Sequence, residues 1–179
     1  MTQPGSGKVE TGAPGGEPGS YGCAILIASD RAAQRIRRDE TGPLLERRLR
    51  EFGFPVVCRR ITPDVRGAIV ETLREWADDQ GIPLIITSGG TGLGPRDLTP
   101  EATLDVIERR VPGMEETMRQ ASLRFTPHAM LSRAVVGTRG RSLIINLPGS
   151  PRAAVENLEV VQPALLHALE LISGRTPDP

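Results

Sequence analysis

The sequence predicts an α/β fold built on a mostly parallel sheet with an antiparallel pair at its edge. Three observations lead there. Continuous apolar runs at Cys23–Ala28 and at residues 83–87 read as strands covered on both faces, as in a parallel sheet between helices. Strands alternate with segments of helical period in the order strand, helix, strand, helix, strand, the pattern of right-handed crossovers. Further on, residues 134–138 and Ser142–Leu147 flank Arg139-Gly140-Arg141, a hairpin signal.

Each element follows from local chemistry. Residues 1–20 are rich in Gly and Pro and carry almost nothing apolar to bury, so they are expected to be a disordered tail. Residues 21–174 then form one domain, with 175–179 as a C-terminal tail. The first strand breaks at Ser29-Asp30-Arg31, and an arginine-rich stretch follows (Arg31, Arg35, Arg37, Arg38). Thr41-Gly42-Pro43 opens a helix with Leu44, Leu45, Leu49 and Phe52 at helical spacing, and Gly53 ends it. Residues 54–61 read as the second strand. Thr62-Pro63-Asp64 leads into a helix over 65–79 whose buried stripe is Ile69, Val70, Leu73 and Trp76, closed by Gly81. After the third strand, 83–87, comes the glycine-rich run Ser88 to Pro100, then helical segments at 100–109 and 113–123. The hairpin follows, then the turn Pro148-Gly149-Ser150-Pro151, then a last helix to about Ser173.

Composition narrows the function classes. Lys+Arg and Asp+Glu both total 22, so no global field attracts nucleic acid or an anionic membrane. Three Phe, one Trp and one Tyr supply little stacking surface for bases and leave an aliphatic core. Cys23 and Cys58 lie in or beside apolar runs and read as small buried hydrophobes of a reducing compartment. No apolar stretch reaches membrane-spanning length and no signal-peptide core is present, so a soluble cytoplasmic protein is expected. His128 and His167 are too isolated to propose a metal site. Met114, Met118 and Leu123 read as packing or subunit-contact residues.

The chemistry concentrates in Ser88-Gly89-Gly90-Thr91-Gly92-Leu93-Gly94-Pro95-Arg96-Asp97-Leu98-Thr99-Pro100. A strand opening into glycines and hydroxyls turns backbone N–H groups toward an anion. Asp97 adds a carboxylate, which helps a loop that holds phosphate together with a metal ion. The loop lacks the Lys-Ser/Thr ending of an ATPase phosphate loop and the glycine spacing of dinucleotide folds, so a plain tight turn stays open. Thr99 reads as a cap for the next helix. Asp64 reads either as a helix cap or as a functional carboxylate, and Asp30 as a cap or a brace of its loop. The seven arginines between Arg31 and Arg50 read as a solvated face or as recruitment of a phosphorylated substrate. Ligands of open α/β sheets bind beyond the carboxyl ends of the strands, which here are Ser29-Asp30, Thr62-Pro63-Asp64, Ser88 to Asp97, and Asn146 to Ser150.

These residues carry a resemblance. Ser29-Asp30-Arg31, Asp39-Glu40-Thr41-Gly42-Pro43, Pro63-Asp64, Ser88-Gly89-Gly90-Thr91-Gly92, Pro95-Arg96-Asp97-Leu98-Thr99-Pro100-Glu101-Ala102-Thr103, Pro112-Gly113 and Leu147-Pro148-Gly149-Ser150-Pro151 occur in that order. The chain resembles the MogA/MoaB family of molybdenum cofactor biosynthesis, the molybdopterin adenylyltransferases, over residues 23–174. Related domains of the molybdenum insertase and of competence-damage-inducible proteins lack Thr-Gly followed by Pro-Arg-Asp at this loop.

The resemblance implies a three-layer α/β/α sandwich, a homotrimer, and Mg²⁺-dependent adenylyl transfer from ATP to the phosphate of molybdopterin with release of pyrophosphate. It implies catalytic and metal-binding roles for Asp64 and Asp97. It implies nucleotide and pterin contacts from Asp30, from Ser88, Gly89, Gly90, Thr91 and Gly92, and from Pro148, Gly149 and Ser150. The molybdenum insertase is the partner it suggests; nucleic acid and membrane are not expected. Two alternatives stay open: a carrier of the same family that binds the pterin without reacting it, and a hydrolase or deamidase on the same domain. Relatives often have a polar, glycine-containing stretch after Ser-Asp-Arg, where this chain has Gln34-Arg35-Ile36-Arg37-Arg38.

Overall fold

In the computed structural model, which describes residues 21–175, six strands form one sheet in the order β2-β1-β3-β6-β5-β4. The strands are β1 (Cys23–Ala28), β2 (Val56–Thr62), β3 (Leu84–Ser88), β4 (Arg109–Arg110), β5 (Val136–Arg139) and β6 (Ser142–Leu147). The first three and β6 run parallel, and β5 and β4 add antiparallel at the edge. The helices are α1 (Asp30–Ala33), α2 (Thr41–Glu51), α3 (Arg66–Arg74, continued by a wider π turn at Glu75–Asp79), α4 (Thr99–Leu104), α5 (Pro112–Leu123) and α6 (Pro151–Ser173).

Alternation along the strands divides the core. Cys23, Ile25 and Ile27 face α2, α5 and α6, packing with Leu45, Leu49, Met118, Leu158 and Leu165. Ala24, Leu26 and Ala28 face α3 and α4, packing with Ile69, Leu73, Trp76 and Ala102. This is the three-layer α/β/α arrangement. Burial pushes the Cys23 thiol up, which leaves it a packing residue; Cys58 is only partly buried, on the edge strand β2. Met118 belongs to the core, Met114 packs against it, and Leu123 is exposed. No helix among the described residues is long and apolar enough to cross a membrane.

Several boundaries differ from the sequence reading. The second strand starts at Val56, two residues late, because Phe54 turns into the core after the left-handed Gly53. The helix expected over 100–109 ends at Leu104. The chain then turns out to pair with β5 through Glu108 N–H to Thr138 C=O at 2.7 Å and Val111 N–H to Val136 C=O at 2.8 Å. Arg109 is therefore a strand residue. The tail expected at 1–20 and residues 176–179 of the expected C-terminal tail lie outside the described residues.

The topology positions the site. The chain goes from β1 outward to β2, then back past β1 to β3, so β1 and β3 flank a topological switch point. Register brings the strand ends level: Ala28 pairs with Thr62, Ile27 with Ser88, and Ser88 with Leu147. Behind them Asn146 locks the layer. Its Nδ2 donates to Thr87 Oγ1 and Thr103 Oγ1, both at 2.9 Å, and its Oδ1 accepts from Val135 N–H at 3.2 Å.

Candidate active site at the strand ends

Beyond those ends lies a cavity of about 540 Å³, lined by Ser88, Gly89, Gly90, Asp64, Asp97, Gly149 and Ser150 among others. A smaller one of about 240 Å³ is lined by Thr91, Gly92, Pro148, Ala129, Leu131 and Ala153, with Arg119, Ser122, His128 and Asn157 among its polar groups. The glycine loop and the 148–150 turn thus each contribute to both cavities. Two contacts clasp them together: Ser88 Oγ donates to Pro148 C=O at 2.7 Å, and Gly89 N–H donates to Leu147 C=O at 3.2 Å. Thr41 Oγ1 fastens the turn from α2 by donating to Gly149 C=O at 3.3 Å.

Gly89 is required by its surroundings. Its φ is +102°, and a Cβ there would lie 2.3 Å from Ala28 C=O, so β3 leaves the sheet across the end of β1. At Gly90, φ is +63° and a Cβ would meet Thr99 Oγ1 at 2.5 Å. Thr99 therefore packs under the loop. Its hydroxyl is buried without a partner among the described residues, and it does not cap α4.

Asp64 is no helix cap either: α3 is preceded by Val65, with no side-chain cap. Asp64 Oδ2 accepts Asp30 N–H at 2.8 Å, while Asp30 Oδ1 accepts Asp64 N–H at 3.0 Å. Asp30 Oδ2 pairs with Arg96 Nε at 2.6 Å. Asp30 thus braces Asp64, and it is not among the residues lining the larger cavity. Burial, then the neighbouring charges of Asp30 and Asp97, hold the Asp64 carboxyl above the usual range, against the Asp30 N–H and Arg96, which favour its ionised form.

Asp97 is wrapped by its own loop. Gly94 N–H donates to its Oδ2 at 2.7 Å, and a Cβ on Gly92 or Gly94 would come within 2.8 or 2.9 Å of that oxygen. Arg133, which the sequence reading missed, holds the loop from outside. Its guanidinium donates to Gly92 C=O at 2.7 Å, to Asp97 C=O at 2.5 Å and to the Glu101 carboxylate, and its N–H donates to Thr91 C=O at 2.9 Å. It stands in no local motif, only in the coil ahead of β5, so nothing nearby in sequence marked it.

Among the described residues no donor reaches Oδ1 of Asp64 or Oδ1 of Asp97, and Asp64 Oδ1 lies 3.6 Å from a Cβ built on Gly90. Two hard oxygen donors beside repelling carboxylates fit a divalent cation such as Mg²⁺. No cluster of three or more His, Cys, Asp or Glu in metal-binding arrangement exists among the described residues.

A family model described as a probable molybdopterin binding domain matches residues 24–167. The chain belongs to that family. It is 41% identical over 152 residues to the molybdopterin adenylyltransferase of Helicobacter pylori strain 26695, covering 84% of this chain and 86% of that protein. It is 44% identical over 142 residues to the molybdopterin adenylyltransferase of Escherichia coli K12, covering 78% and 73%. Its fold matches the crystal structure of the molybdopterin biosynthesis enzyme MoaB from Thermus thermophilus with a TM-score of 0.82 at 49% identity, over 86% of this chain and 97% of that one.

Proposed function

We propose that the chain acts in molybdenum cofactor biosynthesis by transferring AMP from ATP to the phosphate of molybdopterin, releasing pyrophosphate. The observation that carries this reading is that Asp64, Asp97 and the Ser88–Gly90 turn, far apart in sequence, line one cavity in a member of this family.

The chain's residues divide the work. An oxygen of the pterin phosphate attacks the α-phosphorus in line, the bond to the bridging oxygen breaks, and pyrophosphate leaves with the electron pair. The nucleophile is already ionised near neutral pH, so no general base is needed. Asp64 and Asp97 are the residues that would hold Mg²⁺, and the bound ion would offset the charge of the phosphates. Backbone N–H groups of the glycine turn and the N-terminus of α6, capped by Ser150 (its Oγ accepts Ala153 N–H at 3.5 Å), present positive dipoles to the same anions. The smaller cavity, walled by Ala129, Leu131 and Pro148 with amide and hydroxyl groups at hand, suits a flat heterocycle.

We propose further that the protein is a cytoplasmic homotrimer that passes its product to the molybdenum insertase. Exposed Phe125, Met130 and Leu131, in the segment leading into Arg133, support a subunit contact there.

Purified full-length protein with ATP, MgCl₂ and molybdopterin tests the reading by mass spectrometry of the pterin and by pyrophosphate release. Adenylylated pterin and pyrophosphate in equal amounts are expected. Pterin binding without AMP incorporation would establish the carrier reading instead, and phosphate or pyrophosphate release without pterin the hydrolase reading.

A further inference from the structure

We propose that Arg37 and Arg38 form a clamp for the pyrophosphate end of the nucleotide. The proposal rests on the adenylyl-transfer reading for its substrate and on the geometry for its residues.

Both residues line the larger cavity, and both are exposed. Neither forms an ion pair or side-chain hydrogen bond among the described residues, whereas Arg48, Arg60 and Arg139 are each committed to a carboxylate. The segment carrying them is fixed at both ends. Ile36 N–H and Arg37 N–H both donate to Arg31 C=O, at 2.8 and 3.0 Å, next to the end of β1. Asp39 Oδ1 accepts Gly42 N–H at 2.8 Å, tying the other end to α2. Asp39 lines the same cavity, but no ion pair joins it to either arginine among the described residues, and its Oδ2 is buried without a partner. Glu40, the other acidic neighbour, is exposed and unpaired among the described residues.

Two guanidinium groups held on a cavity wall without partners suit an extended polyanion. The triphosphate and the pterin phosphate together carry more negative charge than one divalent cation offsets, and Asp64 and Asp97 add to it. The leaving group is where charge grows as the α–β bridging bond breaks, so cations there act on the transition state more than on the ground state. The smaller cavity has its own cation, Arg119, and neither Arg37 nor Arg38 lines it.

Calorimetric titration of the full chain with sodium pyrophosphate, in magnesium-free buffer with chelator, reads the clamp without the reaction. Wild-type protein is expected to bind, and Arg37→Ala and Arg38→Ala each to weaken binding about tenfold. Lys at either position is expected to restore part of it. Arg31→Ala removes one charge from the same segment outside the cavity lining and is expected to leave binding unchanged. In the transfer assay the KM for ATP rises in both Ala variants while the KM for molybdopterin holds. Absence of pyrophosphate binding by wild type, equal loss in Arg31→Ala, unchanged binding in both Ala variants, or a change confined to the pterin KM overturns the clamp. Arginine-dependent pyrophosphate binding without AMP transfer would uphold the clamp and sink the reaction instead.

Discussion

Asp30 and Asp64 each accept the other's backbone N–H, at 2.8 and 3.0 Å, so the ends of β1 and β2 are stapled by a reciprocal pair. This staple sets where Asp64 stands relative to the glycine turn. Asp30→Ala removes the acceptor for Asp64 N–H and for Arg96 together. The expected cost is about 1–3 kcal/mol, with transfer reduced as Asp64 shifts. Asp30→Asn keeps one oxygen in place and recovers most of the stability. Urea denaturation of the three proteins checks the order.

Asp97→Asn separates charge from shape. The amide oxygen still accepts Gly94 N–H, so folding stability should stay within about 1 kcal/mol of wild type. AMP transfer should fall by roughly a hundredfold or more, since the lost charge acts on the phosphates in the transition state. Pterin binding measured by fluorescence should persist.

Arg133 makes three side-chain contacts to the loop and its flank. Arg133→Ala leaves two carbonyls and Glu101 without their donor and should cost about 2–4 kcal/mol. Arg133→Lys should rescue little, because an ammonium cannot span acceptors the planar fork reaches together. Thermal unfolding and the KM for ATP should move in parallel.

Gly89→Ala meets both a left-handed backbone and the Ala28 carbonyl. A loss of about 3 kcal/mol or more is expected, or failure to accumulate folded protein. Circular dichroism during denaturation reads this directly.

The layers were legible in the sequence because burial on both faces writes itself as unbroken apolar runs, as in Cys23–Ala28, and because Gly53 and Gly81 mark helix ends. The candidate site was legible where chemistry is local: Asp64, Asp97, Ser88–Gly90, Gly149 and Ser150 line one cavity, and Thr91, Gly92 and Pro148 line the smaller one. It was illegible where contacts are distant. Asp30 turned out to hold Asp64 across 34 residues, and Arg133 to grip a loop about 40 residues earlier. The strand Arg109–Arg110 carries two exposed charges and gave no apolar pattern; only pairing with β5 defines it. Thr99, at a cap position, was drawn under Gly90 by packing.

The raised Asp64 carboxyl gives a pH signature. Its ionised form is the one that binds a cation, so the acid limb of kcat/KM should lie above the ordinary aspartate value of 3.8. Folded protein holds this proton more tightly than unfolded protein. The contribution to stability is therefore full below the unfolded pKa and is lost as pH rises through the raised folded one. At neutral pH, Asp64→Asn should raise Tm rather than lower it, while transfer falls by roughly a hundredfold or more, as in Asp97→Asn. Calorimetry across pH checks the sign.

The most direct measurement is a double-variant cycle on Asp64 and Asp97, scored by AMP transfer from labelled ATP to molybdopterin. If both carboxylates serve one ion, either Asn variant alone should lose about as much activity as the pair together. Losses that simply multiply in the double variant, or near-wild-type transfer by either single variant, would contradict a shared centre.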